Sequence, residues 1–250
     1  MTKVNFLIVG TQKGGTTALA KFLSQHPDIC LAPVKEVHFF DYDRHYHLGI
    51  DYYHSFFPNY RGQKLIGEAT PIYMYLPHIA PRIAEYNPQM KLIVLLRNPI
   101  DRAYSHYQME LQRQWEILPF AVAIALEPLR LSLPQNLDAE KTAKRVCSYC
   151  HRGFYTAQLR NLYRYFPREQ VLVLLQEDLA NDHSSTLEKV YAFLGVESPP
   201  QLPPPDRVLV GNYQPLSPWL RQILKQYFRR EIENLQRLLD RDLSHWLKSG

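Results

Sequence analysis

The stretch FLIVGTQKGGTTALAKFL, from Phe6 to Leu23, constrains this chain more than any other part of it. A short apolar run leads into a glycine-rich turn, and the turn opens a segment with apolar residues at helical spacing. A strand, a tight loop and a helix in that order form the layout in which backbone N–H groups and a helix N-terminus cradle a phosphate. Gly10 and Gly15 have the spacing of the G-x-x-x-x-G-K-[ST] loop, and Thr17 fills its last position. Thr16 occupies the place of the loop lysine, and the lysine that is present, Lys13, lies inside the loop.

The rest of the chain alternates strand and helix signals. Val4 to Val9 is a continuous apolar run, as expected of a buried parallel strand. Thr16 to Ser24 reads as a helix stopped by His26-Pro27, Leu65 to Gly67 as a short strand, and Pro77 to Tyr86 as a helix. Lys91 to Leu96, KLIVLL, is the clearest buried strand, and Asn98-Pro99 opens a helix through Gln112. Phe120 to Leu126 and Gly153 to Phe166 read as helices, Gln170 to Leu175 as a strand, and Ser184 to Leu194 as a helix ended by Gly195. Ser198 to Pro205 is an extended linker, and two helices close the chain, Ser217 to Phe228 and Arg230 to Leu239. The polar stretch Leu131 to Arg145 reads as a lid or a surface loop. The alternation predicts an α/β fold with a parallel sheet flanked by helices, and ligands at the carboxyl ends of its strands.

Composition narrows the partners. Hydrophobic residues make up 46% and charged residues 21%, which suits a globular protein. The net charge of +5 is too mild to imply nucleic acid and suits an anionic ligand. Three cysteines argue against a secreted disulfide scaffold and for a reducing, cytoplasmic setting. Cys147-Ser148-Tyr149-Cys150-His151 has metal-like spacing, but no second Cys/His pair accompanies it, so no metal site is expected. No run is long and apolar enough for a transmembrane segment, and the first strand and loop leave no room for a signal peptide.

The loop does not fit a nucleoside-triphosphate hydrolase. Its lysine is displaced, and KLIVLL ends in Arg97, where a magnesium-holding aspartate would stand. A cation at a strand end points to direct anion binding.

The runs GTQKGGTTAL, HPDI, KEVHFF, RNPIDRAYSHY, RGFYTAQLRNLYRYFP, VLVLLQEDL and VYAFLGV resemble, in kind and order, the PAPS-dependent sulfotransferases. The nearest branch is that of the heparan sulfate sulfotransferases and their bacterial relatives. The resemblance covers nearly the whole chain and is weakest from Gln112 to Ala143. It implies a P-loop-like nucleotide-binding fold in a single domain over residues 1–250. It also implies transfer of a sulfuryl group from PAPS (3′-phosphoadenosine 5′-phosphosulfate) to a hydroxyl or amine, with PAP as product. Lys13, Gly14, Gly15, Thr16 and Thr17 would then hold the 5′-phosphosulfate, and Arg97 and Ser105 the 3′-phosphate. Glu36 would be the catalytic base, supported by His38. Tyr155, Gly211 and Asn212 are further candidates beside the nucleotide, with a core aromatic role as the alternative for Tyr155.

Residue chemistry is consistent with these roles. Sulfuryl transfer is an in-line displacement with a good leaving group, so positioning and charge stabilisation should dominate. A lysine inside the loop can reach the bridging oxygen where negative charge builds. Glu36 can take the acceptor's proton, and His38 would share its face if the stretch is extended. The scheme requires no metal. The bland alternatives are a solvated Lys13, a Glu36 that only pairs with Lys35, and an Arg97 that only pairs with Asp101 one turn on. A P-loop kinase or NTPase and a non-catalytic nucleotide-binding module are the competing functions.

Two departures bear on the acceptor and the nucleotide turn. Where the heparan-type enzymes carry a lysine, this chain has Ala69 in Glu68-Ala69-Thr70-Pro71, which argues against a highly sulfated glycan. VGNYQPLS, Val210 to Ser217, stands in place of the family's Lys-Gly turn. A small molecule, a lipid, a glycan or a carrier-bound hydroxyl remain as acceptors.

Overall fold

The computed structural model describes residues 3–136, 138–205 and 213–248. In chain order it runs β1 (Phe6–Gly10), α1 (Thr16–Leu23), β2 (Ile29–Leu31), α2 (Asp43–Tyr46), α3 (Gly49–His54), β3 (Leu65–Ala69), α4 (Ile79–Tyr86), β4 (Lys91–Leu96) and α5 (Pro99–Gln112). It continues through α6 (Phe120–Ser132), α7 (Ala143–Val146), α8 (Tyr155–Leu162), β5 (Val171–Leu175), α9 (Gln176–Asn181), α10 (His183–Leu194) and α11 (Pro218–Leu239). The chain divides into two units. One holds the residues up to Arg97 together with Asn161 onward through β5 and α10; the other holds Asn98–Arg160 and α11.

The first unit is built on a five-stranded sheet of order β2-β3-β1-β4-β5, with every pairing parallel. Continuous apolar strands are what such a sheet requires, because both faces are covered. Phe6 and Ile8 of β1 pack with Leu19, Phe22 and Leu23 of α1 and with Leu187, Val190 and Leu194 of α10. Leu7 and Val9 alternate to the other face and are equally buried. From β1 the chain runs to β2 and β3 on one side and then crosses past β1 to β4 on the other. The carboxyl end of β1 is therefore the point where the connections diverge, the place where open α/β sheets hold ligands.

Most strands and helices fall where the sequence signals put them. β4 and α5 match their signals closely, and Asn98 caps α5 by accepting from the Ile100 N–H at 3.0 Å. Gly195 ends α10 at φ 83 in the left-handed conformation that glycine tolerates. β2 carries no sequence signal: its three residues are a strand because Ile29, Cys30 and Leu31 pair with Leu65, Ile66 and Gly67. The Gly153 to Phe166 helix is shorter than expected, beginning at Tyr155 and ending at Leu162.

The two closing helices are a single one. Leu220, Leu224, Phe228, Ile232 and Leu235 are buried along one continuous face of α11, and Arg229 and Arg230 extend the helix without a breaker. In this second unit the Glu231 carboxylate accepts from the Thr156 N–H at 2.7 Å at the start of α8. Glu127 accepts from the Cys150 and His151 N–H groups at 2.8 and 2.7 Å. These bonds satisfy buried charges with backbone donors, which composition alone does not reveal. No helix among the described residues is long and apolar enough to cross a membrane.

Gly67 shows how tightly the sheet is packed, since a Cβ there would overlap the Phe6 ring. Gly67→Ala is expected to destabilise the protein by about 1–3 kcal/mol through overpacking. The effect should appear as a lower urea midpoint at unchanged m-value, partly restored by Phe6→Leu. Unchanged stability of the single variant would show that the strand relaxes freely.

Candidate active site

The glycine loop is fastened to the neighbouring strand. The Thr11 N–H and its hydroxyl both donate to the Leu95 carbonyl of β4, at 2.9 and 2.8 Å. The Gly14 N–H closes the turn on the Thr11 carbonyl at 2.9 Å. A Cβ on Gly14 would come within 2.5 Å of the Leu95 carbonyl oxygen and of Thr11 Oγ1, so only glycine allows this approach. Lys13 (φ 68) and Gly15 (φ 97) take left-handed backbone, which turns the chain sharply into α1. No side chain caps α1, so its first-turn amides and the positive end of its dipole are left to the loop. Thr16 is buried, and Lys13 and Thr17 are half-buried.

Arg97 follows β4 directly and donates from Nη1 to the Lys13 carbonyl at 3.2 Å. This brings the strand-end guanidinium to the loop. Asp101, the alternative partner for Arg97, is held by Arg221 Nη2 at 2.6 Å. Ser105 lies in α5, in the second unit, and is 5% exposed. Tyr155 belongs to the same unit and is fully buried. Gly211 and Asn212 lie outside the described residues.

The segment carrying Glu36 and His38 is not an extended strand. Glu36 (φ 62) and His38 (φ 55) both adopt left-handed backbone, which is strained for residues with a Cβ. The turn nevertheless brings the two side chains together: His38 Nε2 is 3.5 Å from Glu36 Oε2. The other ring nitrogen, Nδ1, is 2.9 Å from Asp41 Oδ2, and the Asp41 side chain is completely buried. Lys35 Nζ lies 2.9 Å from Glu36 Oε1, so Glu36 pairs with lysine and histidine at once. The result is a chain from a partly exposed carboxylate through an imidazole to a buried carboxylate. Asp41 is absent from the sequence-derived candidates, although its position three residues after His38 is a usable signal.

The segment is fastened to the end of β3. The Glu36 N–H donates to the Ala69 carbonyl at 3.2 Å, and the His38 N–H reaches Thr70 Oγ1 at 3.5 Å. The Phe39 N–H donates to Tyr73 Oη at 2.9 Å, and Phe40 N–H to the same oxygen at 3.4 Å. Below lies Glu68, fully buried, with Oε2 accepting from the Thr70 hydroxyl at 2.6 Å. Burial pushes the Glu68 carboxyl up to about 7, against the lowering effect of the Thr70 and Tyr73 hydroxyls and of His38. Thr70 and Tyr73, like Glu68, carry no role in the sequence reading.

Cys147, Cys150 and His151 do not assemble a cation site. Arg130 Nη1 lies 3.5 Å from Cys147 Sγ, and the amides of Cys150 and His151 go to Glu127. Among the described residues, no group of His, Cys, Asp and Glu is arranged to hold a metal ion.

The chain is similar to known proteins in sequence and in fold. Residues 3–209 match the sulfotransferase domain family. A crystal structure of a sulfotransferase from Alicyclobacillus acidocaldarius superimposes with a TM-score of 0.85 at 33% identity, over 99% of this chain and 100% of that one. Heparan sulfate glucosamine 3-O-sulfotransferase 6 of Mus musculus is 37% identical over 191 residues, 76% of this chain and 52% of that protein. A membrane-associated sulfotransferase of Dictyostelium discoideum is 27% identical over 311 aligned positions, 95% of this chain and 65% of that protein. The chain thus spans less than two thirds of the length of these curated relatives. With the family match across most of the sequence, and with a structural counterpart that covers 99% of it, the chain belongs to the PAPS-dependent sulfotransferase family.

Proposed function

We propose that this protein transfers the sulfuryl group of PAPS to a hydroxyl or amine by in-line displacement, with Glu36 as base and Lys13 at the leaving phosphate. The observation that carries this reading is the Glu36–His38–Asp41 chain, fastened to the carboxyl end of a strand that pairs with β1, whose own end opens the glycine loop. The donor set of that loop fits a phosphosulfate: uncapped helix amides, the half-buried Lys13 and the hydroxyls of Thr16 and Thr17.

In the proposed step, Glu36 takes the proton from the acceptor O–H as its oxygen bonds to sulfur. The bond from sulfur to the bridging oxygen breaks, and that oxygen leaves with the electron pair as part of PAP. The Lys13 ammonium offsets the charge developing there. His38 then shares the proton held by Glu36 through Nε2, while its Nδ1 faces Asp41. Asp41 thereby holds the ring and sets its tautomer, as a buried carboxylate does for a general base. In this reading Arg97 and Ser105 recognise the 3′-phosphate, and no metal enters the step.

For the acceptor, Ala69 is buried at the end of β3 and supplies no cation for a sulfated sugar. We therefore favour a less anionic hydroxyl than that of the glucosamine enzymes it resembles. The low, odd cysteine count supports a cytoplasmic setting, and the family span supports one sulfotransferase domain.

Calorimetry with PAP, ADP and ATP, each with and without magnesium, tests the reading. Binding of PAP that is independent of metal and tighter than ADP is expected; preference for ATP with magnesium would replace the reading with a kinase. Arg97→Ala should weaken PAP by about 10- to 100-fold, the cost of a lost charged hydrogen bond, and leave ADP nearly unaffected.

Lys13→Ala should lower PAPS-dependent turnover on a responsive acceptor by about 100-fold, as removal of a transition-state donor does elsewhere. Glu36→Gln should lower turnover by a similar factor while the Kd for PAP is unchanged. Full activity in Glu36→Gln would remove it from the role of base.

A further inference from the structure

Glu68 is a buried acid near the carboxyl end of β3 that no step above uses. It is fully buried in β3, and the titratable groups facing it come from three places: Tyr53 of α3, Tyr73 beyond β3, and His38 and Asp41 of the base segment. Its Oε2 receives the Thr70 hydroxyl at 2.6 Å. Its Oε1 and the Tyr53 hydroxyl are buried and make no hydrogen bond of ordinary length. A carboxyl in such a place is costly to ionise, and apolar packing would be cheaper.

What Glu68 touches gives it a purpose. Thr70 Oγ1 and Tyr73 Oη are the acceptors for the amides of His38, Phe39 and Phe40. A hydroxyl that accepts an N–H must send its own proton elsewhere. Thr70 sends it to Glu68, and the Tyr73 hydroxyl also favours the charged form of that carboxyl. A hydroxyl donating to a carboxylate becomes the better acceptor, because chains of hydrogen bonds polarise one another. The amides concerned hold His38 and the residues after it, and so fix the turn in which Glu36 and His38 adopt left-handed backbone that needs support.

We propose that Glu68 is a positioning residue for the Glu36–His38–Asp41 chain: through the Thr70 and Tyr73 hydroxyls, its carboxylate locks the strained turn that presents the base. The consequence for catalysis rests on the sulfotransferase reading; the locking itself does not. Ionisation of Glu68 tightens the turn and costs the fold stability. Its carboxyl is raised from 4.5 to about 7, so its contribution to stability is complete below pH 4.5 and is lost as pH rises through about 7.

The test compares the wild type with Glu68→Gln, which keeps shape and loses charge, and with Thr70→Val, which removes the connecting hydroxyl. Amide hydrogen exchange is followed by NMR from pH 5.5 to about 8.5, a window around the shifted carboxyl, with intrinsic rates factored out. In the wild type, protection of His38, Phe39 and Phe40 should rise as Glu68 ionises. In Glu68→Gln it should fall by about tenfold at all three amides and lose its step in pH, and in Thr70→Val the same should hold at His38, whose acceptor is removed, consistent with the loss of one or two hydrogen bonds. Glu68→Gln should also melt progressively higher than the wild type as pH rises through 7. Unchanged protection in Glu68→Gln, or a uniform loss of stability at every pH, would overturn the proposal and leave Glu68 a packing residue. PAP calorimetry runs in parallel: failure of the wild type to bind PAP would sink the sulfotransferase reading, while the exchange data still decide the role of Glu68.

Discussion

The Leu95 carbonyl accepts two hydrogen bonds from Thr11, one from its amide and one from its hydroxyl. That doubled contact ties the loop leaving β1 to the adjacent strand β4. It fixes where the helix α1 begins, and so where its uncapped amides lie. Gly14 is required because the chain passes too close to Leu95 for any side chain. Arg97, two residues beyond Leu95, then reaches the Lys13 carbonyl. The loop and the strand-end cation are held as one piece because they share this stretch of β4.

The segment that carries Glu36 and His38 depends on a different support. Glu36 and His38 occupy left-handed backbone, and each such residue is tolerated only where its surroundings over-determine it. The surroundings here are the end of β3, through a backbone carbonyl and two side-chain hydroxyls, with a buried carboxyl beneath them. β3 is the direct neighbour of β1 in the sheet. The two halves of the proposed chemistry, leaving-group stabilisation and proton removal, therefore come from neighbouring strand ends of one rigid element. The strain at Glu36 and His38 and the buried charge at Glu68 are costs of the kind that functional sites carry and that packing elsewhere offsets.

Much of the fold is readable in the sequence because it rests on local rules. β4 and α5 show themselves through an unbroken apolar run and an Asn-Pro helix start, and α10 ends at a glycine. The failures are also physical. β2 is too short to carry a period and exists only through pairing with β3. α11 reads as two helices around Arg229 and Arg230, yet its buried face runs through them without a break. In the site, Lys13 and Glu36 are visible from residue type, loop pattern and resemblance. Asp41, Thr70 and Tyr73 are ordinary residues until the chain brings them together, and Tyr155 proves to be fully buried.

The sequence by itself determined the α/β alternation, the phosphate-type loop with its displaced lysine, the cation after the central strand and the order of motifs that marks the family. These depend on spacing within a few residues, on turn chemistry and on strand or helix period. Only the tertiary structure decided that the Glu36–His38 segment is a strained turn and not a strand, that His38 joins Glu36 to a buried Asp41, and that Glu68 lies beneath them without access to water. Those facts depend on burial and on hydrogen bonds between residues some thirty positions apart, such as His38 with Thr70 and Phe39 with Tyr73. No local pattern encodes such a bond, because its energy exists only once the sheet has brought the two segments together.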